Sequence, residues 1–146
     1  MSPPHAGGTL RELTHLLERR NYPEYIISFF AAASIGAVAT CVNAFSPKDV
    51  LAYCITSTTC KVIIIDGEKA TLLSPLLSKL EAAGSKAVLV VRSKNAVPAG
   101  MIDYNSALAR FAGKTTLPKI DILPEDNAVI FFTSGYVHPL IAHKKC

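Results

Sequence analysis

The residues best placed to do chemistry are Thr133, Ser134 and Gly135, which follow an apolar run at 128–132. Small hydroxyl-bearing and glycine residues directly after a buried strand let backbone amides and hydroxyls approach an anion, and phosphate is the usual one. On its own the triplet is weak, because a Thr-Ser-Gly turn also follows many strands for reasons of loop chemistry. Neither G-x-x-x-x-G-K-[ST] nor G-x-G-x-x-G occurs in the chain. Other candidates carry less. Ser134 lacks the G-x-S-x-G setting of a nucleophile. Asp66 and Glu68 read as turn and cap residues rather than a catalytic pair. His138, His143 and Cys146 are ligand types on a tail expected to fray, with no fourth partner, so no metal site is expected.

The elements that must position the triplet are legible from pattern. KVIIID at 61–66 and AVLVV at 87–91 are continuous β-branched or apolar runs, which suit strands covered on both faces. Val38 to Val42 and the run ending at Phe132 have the same character. Helices are expected between them. One spans about 23–35, with Asn21 as cap, Pro23 in the first turn and Gly36 as terminator; another has Ser46 as cap and Pro47 at its first position. A leucine stripe at 72, 73, 76, 77 and 80 is interrupted at Ser74-Pro75 and closed by Gly84. A short helix is expected at 103–111, then a long connection at 113–125. Leu10, Leu13, Leu16 and Leu17 predict a short amphipathic helix over 10–20, after a disordered start at 1–8. The alternation indicates an α/β fold with a largely parallel sheet and flanking helices, whose ligands gather where strands end.

Composition narrows the class. The chain has 146 residues, half of them hydrophobic and 18% charged, enough for one globular core. A mean hydropathy of +0.33 fits strands covered on both faces, or an apolar surface made for a partner. The net charge of +4 is scattered, with only Arg19-Arg20 and Lys144-Lys145 adjacent, so nucleic acid is excluded as a partner. The spacings of Cys41, Cys54, Cys60 and Cys146 form neither a C-x-x-C pair nor a dense framework, as expected of reduced thiols inside a cell. The apolar stretch 26–42 leaves a membrane-associated or secreted product as the alternative. Ser28, Ser34, Gly36 and its late start count against that alternative.

DNAVIFFTSG at 126–135, with the stretch from Asn21 to Asp66 upstream, resembles the N-terminal part of the adenylate-forming, AMP-dependent synthetases and ligases: acyl-CoA synthetases, luciferases and their relatives. The resemblance covers 21–135. It implies a partial N-terminal subdomain of an adenylate-forming enzyme, flanked by a non-family extension at 1–20 and a non-family tail at 136–146. It further implies ATP and magnesium as cofactors, with coenzyme A as an optional acceptor. The implied substrate is a carboxylic acid, joined to AMP as an acyl adenylate with release of pyrophosphate. A cytoplasmic or peroxisomal location is implied too.

The family loop looks like T-S-G-[ST]-[ST]-G-x-P-K-G. Here Thr133, Ser134 and Gly135 match, but Tyr136 and Val137 stand for the hydroxyl residues, His138 for the second glycine, Leu140 for the proline and Ile141 for the lysine. Half of the cradle is replaced, so the expectation is a truncated synthetase that binds no cofactor and is itself inactive. A non-catalytic nucleotide-binding or interaction module is the second expectation.

Overall fold

In the computed structural model, residues 14–19, 22–114, 116, 119–133 and 141–145 are described. The expectations attached to residues 1–8, Asn21, Ser134, Gly135, His138 and Cys146 lie outside them.

The described residues form one seven-stranded sheet. In chain order its strands are β1 Thr14–Arg19, β2 Val38–Asn43, β3 Val62–Asp66, β4 Ala87–Val91, β5 Ile102–Asp103, β6 Val129–Thr133 and β7 Ile141–Lys145. The spatial order is β5-β4-β3-β1-β2-β6-β7. The first six are mutually parallel and β7 is antiparallel to β6. The helices are α1 Pro23–Ser34, α2 Lys48–Ser57, α3 Gly67–Leu73, α4 Leu77–Ala82 and α5 Tyr104–Ala109.

Alternating side chains divide the core into two layers. Val42, Ile63, Ile65, Val88 and Val90 point to one side, where Leu51, Cys54 and Ile55 of α2, Leu73 of α3 and Leu80 of α4 close over them. Ala39, Ile64 and Val91 point to the other, against Tyr25 and Phe29 of α1 and Tyr104 of α5. Strands buried on both faces are what the β-branched runs required.

Local chemistry explains most boundaries. Pro23 starts α1 at a position where its missing N–H costs nothing. Gly36, at φ +66°, ends it: the Gly36 and Ala37 amides donate to the carbonyls of Ala33 and Ala32. Ser74 to Leu76 tighten into a 3-10 turn at Pro75, separating α3 from α4 as expected.

Three features depart from expectation. The predicted helix at 10–20 is overturned where it can be seen: residues 14–19 form β1, in register with β2 along its whole length and with β3 at His15, Leu16 and Leu17. Without β1, the facing edges of β2 and β3 would leave their ladder groups unpaired, and that pairing outweighs a short helical spacing. Second, α2 starts one residue later than predicted. Pro47 takes the cap position instead of Ser46, and the Ser46 carbonyl accepts from Lys69 Nζ at 3.1 Å. Third, residues 141–145 form an edge strand, where a frayed tail was expected.

The stretch proposed as a membrane segment, 26–42, divides into α1, a turn and β2. Among the described residues no helix is long and apolar enough to cross a membrane.

Candidate functional site

Thr133 is the last residue of β6, at the carboxyl edge of the parallel sheet. Its two companions in the triplet, Ser134 and Gly135, lie outside the described residues. Cys41 of β2 pairs with Phe131 of β6, so two residues further along both strands Thr133 reaches the level of Asn43. There the chain leaving β2 turns tightly: Asn43 Oδ1 accepts the Phe45 amide at 3.0 Å, and the Asn43 carbonyl accepts the Ser46 amide at 3.0 Å. The candidate ledge therefore has β6 on one side and an ordered polar turn on the other.

The antiparallel return of β7 decides what else reaches this ledge. Ile141, at the position where the family loop carries lysine, pairs with Thr133. Lys144 pairs with Ile130, three residues back from the strand tip, or about 10 Å along the strand. The backbone of the tail thus carries its lysines away from the edge at which a triphosphate would lie.

A second cleft was not anticipated from sequence. The order of strands reverses at β1, since β2 lies on one side of it and β3 on the other. The helices that come next in the chain, α1 and α3, lie on opposite sides of the sheet, which leaves a crevice outside the carboxyl ends of β1 and β3. Tyr22 follows β1 and Asp66 closes β3; with Gly67, Glu68, Thr71 and residues 92–95 after β4 they line a cavity of about 390 Å³. Asp66 is the cap of α3, its Oδ1 accepting the Lys69 amide at 2.9 Å, which confirms its expected cap role.

Arg92 organises the wall of this cleft. Its backbone is left-handed, at φ +50°, a conformation that costs a non-glycine residue about 1 kcal/mol. In return its Nε donates to both carboxylate oxygens of Glu24, at 3.0 and 3.1 Å, and its guanidinium stacks 4.4 Å from the Tyr22 ring. The Glu24 carboxyl is held below its ordinary range mainly by that hydrogen bond. Opposite, Gly67 lets the chain leaving β3 pass the chain leaving β4: a Cβ there would lie 2.8 Å from Ser93 Cα. The lining offers charges of both signs and hydroxyls, suited to hydrogen bonding a small polar group. A signal for it was present in the residues just after KVIIID and AVLVV, but the left-handed turn at Arg92 has no sequence signature.

Cys54 and Cys60 are not placed to act as nucleophiles. Burial pushes the thiols of Cys54 and Cys60 up to about 11, with the neighbouring Cys60 adding to the effect at Cys54. Both stay protonated at neutral pH and behave as core residues. Among the described residues, no group of three His, Cys, Asp or Glu side chains gathers as metal ligands.

With this geometry in hand, the comparisons with known proteins are specific. Residues 17–135 match the AMP-binding enzyme family. A 3-hydroxybenzoate–CoA/4-hydroxybenzoate–CoA ligase from Thauera aromatica is 31% identical over 114 residues, which is 77% of this chain and 21% of that protein. Among solved structures, an anthranilate CoA ligase in complex with anthranoyl-AMP superposes with a TM-score of 0.73 at 19% identity, over 90% of this chain and 24% of that one. The luciferase-like enzyme of the nonluminescent mealworm Zophobas morio gives 0.74 at 15% identity, over 94% and 31%. The chain therefore spans between a fifth and a third of these relatives. It belongs to the AMP-binding enzyme family of adenylate-forming ligases, as a partial α/β subdomain of that fold.

Proposed function

We propose that this chain is the opening portion of a carboxylate-activating ligase domain, family-related at 21–135, and that the 146-residue protein by itself forms no acyl adenylate. In intact enzymes of this kind ATP and magnesium would activate a carboxylic acid, with coenzyme A as acceptor. This chain would contribute one wall, with Thr133, Ser134 and Gly135 as the start of a phosphate loop. The observation that carries the inactive assignment is the pairing of Ile141 with Thr133 and of Lys144 with Ile130. A triphosphate needs close amides and a nearby cation, and the tail offers a β-branched residue at the tip and its lysine three residues back.

The test is direct. Purified protein incubated with ATP, magnesium and a panel including 3-hydroxybenzoate, 4-hydroxybenzoate, anthranilate and fatty acids should release no acid-dependent pyrophosphate. Clear turnover with any of them would overturn the assignment. A second reading, a non-catalytic interaction module in the cytoplasm or peroxisome, is favoured by the apolar outer surface of α1. Calorimetric titration with ATP separates a weak nucleotide binder, which gives a saturable heat, from a pure interaction module, which gives none.

A further inference from the structure

The end of α2 brings two thiols together. Thr58 caps the helix, and Thr59 just beyond it is left-handed, at φ +50°. The Thr59 amide donates to the Thr56 carbonyl at 3.3 Å and the Cys60 amide to the Ile55 carbonyl at 3.2 Å. This doubly bonded ending folds the second residue past the cap back against the closing turns of the helix. That residue is Cys60, and Cys54 stands on the turn it meets. Both side chains are inaccessible and belong to the same core layer. Thr58 links them: its hydroxyl donates to the Cys54 carbonyl at 2.7 Å and lies 3.0 Å from Cys60 Sγ. The thiols also sense one another electrically, since charge on Cys60 adds to the burial that pushes Cys54 up to about 11. Cys41 is elsewhere, on the α1 side of the sheet, where the Tyr25 hydroxyl donates to its Sγ at 3.1 Å.

We infer that Cys54 and Cys60 form a redox lock: a hydroperoxide joins them in a disulfide that pins the end of α2 to the segment entering β3. While the turn is closed, both thiols are buried and protonated, and the pair is silent. Opening that one turn frees both, because the backbone bonds that hold Cys60 are the ones that close the helix. Once wetted, each thiol returns towards the ordinary range near about 8.5, where a fraction is thiolate. One thiolate attacks a peroxide oxygen; an S–O bond forms, the O–O bond breaks, and the leaving oxygen takes a proton. The second thiolate then displaces hydroxide from the sulfenic sulfur and forms the S–S bond. The pair gives up two electrons and two protons, and the peroxide is reduced to water and an alcohol, or to two waters. When the turn closes again, the bridge joins side chains that the native ending already holds side by side, so it restricts the unfolded chain more than the folded one. The locked unit has the Asn43–Ser46 turn before α2 and Asp66 at the end of β3, and so fastens a wall of both the ledge and the cleft.

The experiment treats the full chain with hydrogen peroxide, alkylates it with iodoacetamide and digests it with trypsin. Cleavage after Lys48 and Lys61 places both cysteines in one peptide, 49–61. That peptide is expected two hydrogens lighter than its reduced form, and closed to iodoacetamide until dithiothreitol is added. Cys54→Ser and Cys60→Ser should each abolish the product. The bridged chain should keep its circular dichroism and unfold at a higher urea concentration than the reduced chain, a shift that dithiothreitol reverses. Thr58→Val loses the hydroxyl that closes the turn and should form the bridge about fivefold faster, while Thr58→Ser should keep the parent rate. A pair that stays reduced in excess peroxide, a sulfinate in place of the bridge, or a bridge from either residue to Cys41 or Cys146 would overturn the inference. So would a bridged chain that unfolds at lower urea than the reduced one, which would mean that the native ending does not hold the two side chains close enough to join. A Thr58→Val rate equal to the parent's would sink the gating by the turn.

Discussion

The two sides of the central sheet are covered by helices of opposite design. On one side, α2, α3 and α4 turn their main apolar stripe inward: Leu51, Cys54, Ile55, Leu73 and Leu80 are inaccessible, while Asp49, Glu68, Glu81 and Lys79 share the outer surface with only two partly exposed large apolar residues, Tyr53 and Leu72. On the other, α1 spends Tyr25 and Phe29 on the sheet and still presents Ile26, Ile27 and Phe30 outward. The strands cannot account for this, because the same β2, β3 and β4 supply apolar residues to both sides. The difference lies in the helices: polar residues finish most of one outer surface, and the other is left open and apolar.

That contrast can be broken most sharply by matched truncations. Leu51→Ala removes a side chain with no accessible surface from the finished side and should cost about 2–5 kcal/mol. Phe30→Ala removes a larger side chain from the other side and should change stability by no more than about 0.5 kcal/mol. Urea unfolding of the two variants measures both. A comparable loss for Phe30→Ala would mean that α1 is already covered in the free chain.

A finer probe lies within the finished side. Thr40 of β2 is fully buried, and among the described residues its hydroxyl has no nitrogen or oxygen partner; the neighbouring Cys60 thiol is a weak one at best. Thr40→Val should therefore raise stability by about 1 kcal/mol, seen as a higher urea midpoint at unchanged slope. A lower midpoint would show that the hydroxyl–thiol contact is worth more than the desolvation of the hydroxyl.

Much of this organisation was readable from residue order, for physical reasons that differ by element. KVIIID and AVLVV announce strands buried on both sides because no exposed strand face tolerates such runs, and β3 and β4 follow them closely. Pro75 forced a break between α3 and α4 that local sterics dictate. β1 was misread because leucine spacing is a local cue, whereas its state is set by pairing with β2 and β3, which the chain reaches only later. β5, at two residues, is too short to carry a period. At the candidate site, the arrival of β6 at the sheet edge was legible, and so was the cap role of Asp66. The cleft beside Arg92 was not, because three segments meet there and the left-handed turn at Arg92 that shapes its wall has no sequence signature.

The smallest expected effect concerns how α1 is fastened on the open side. Its first turn is tied to the end of β4 by the Glu24–Arg92 pair, a partly exposed contact and not a packed one. Arg92 lowers the folded-state pKa of Glu24. A depressed carboxylate pKa adds stability that is fully present above the unfolded value, ordinarily about 4.3, and is lost as the pH falls through the folded value. Screening by water keeps the contribution to roughly a few tenths of a kcal/mol. Glu24→Gln should thus be slightly less stable than the parent at about pH 7, and the gap should close at about pH 3.5, or at neutral pH in about 1 M salt. Denaturation midpoints of the two proteins under these conditions check it. A gap that persists in acid would mean that Glu24 holds α1 by the packing of its side chain over Tyr22 and Arg92, and the open side would then share more of the finished side's character than its charges suggest.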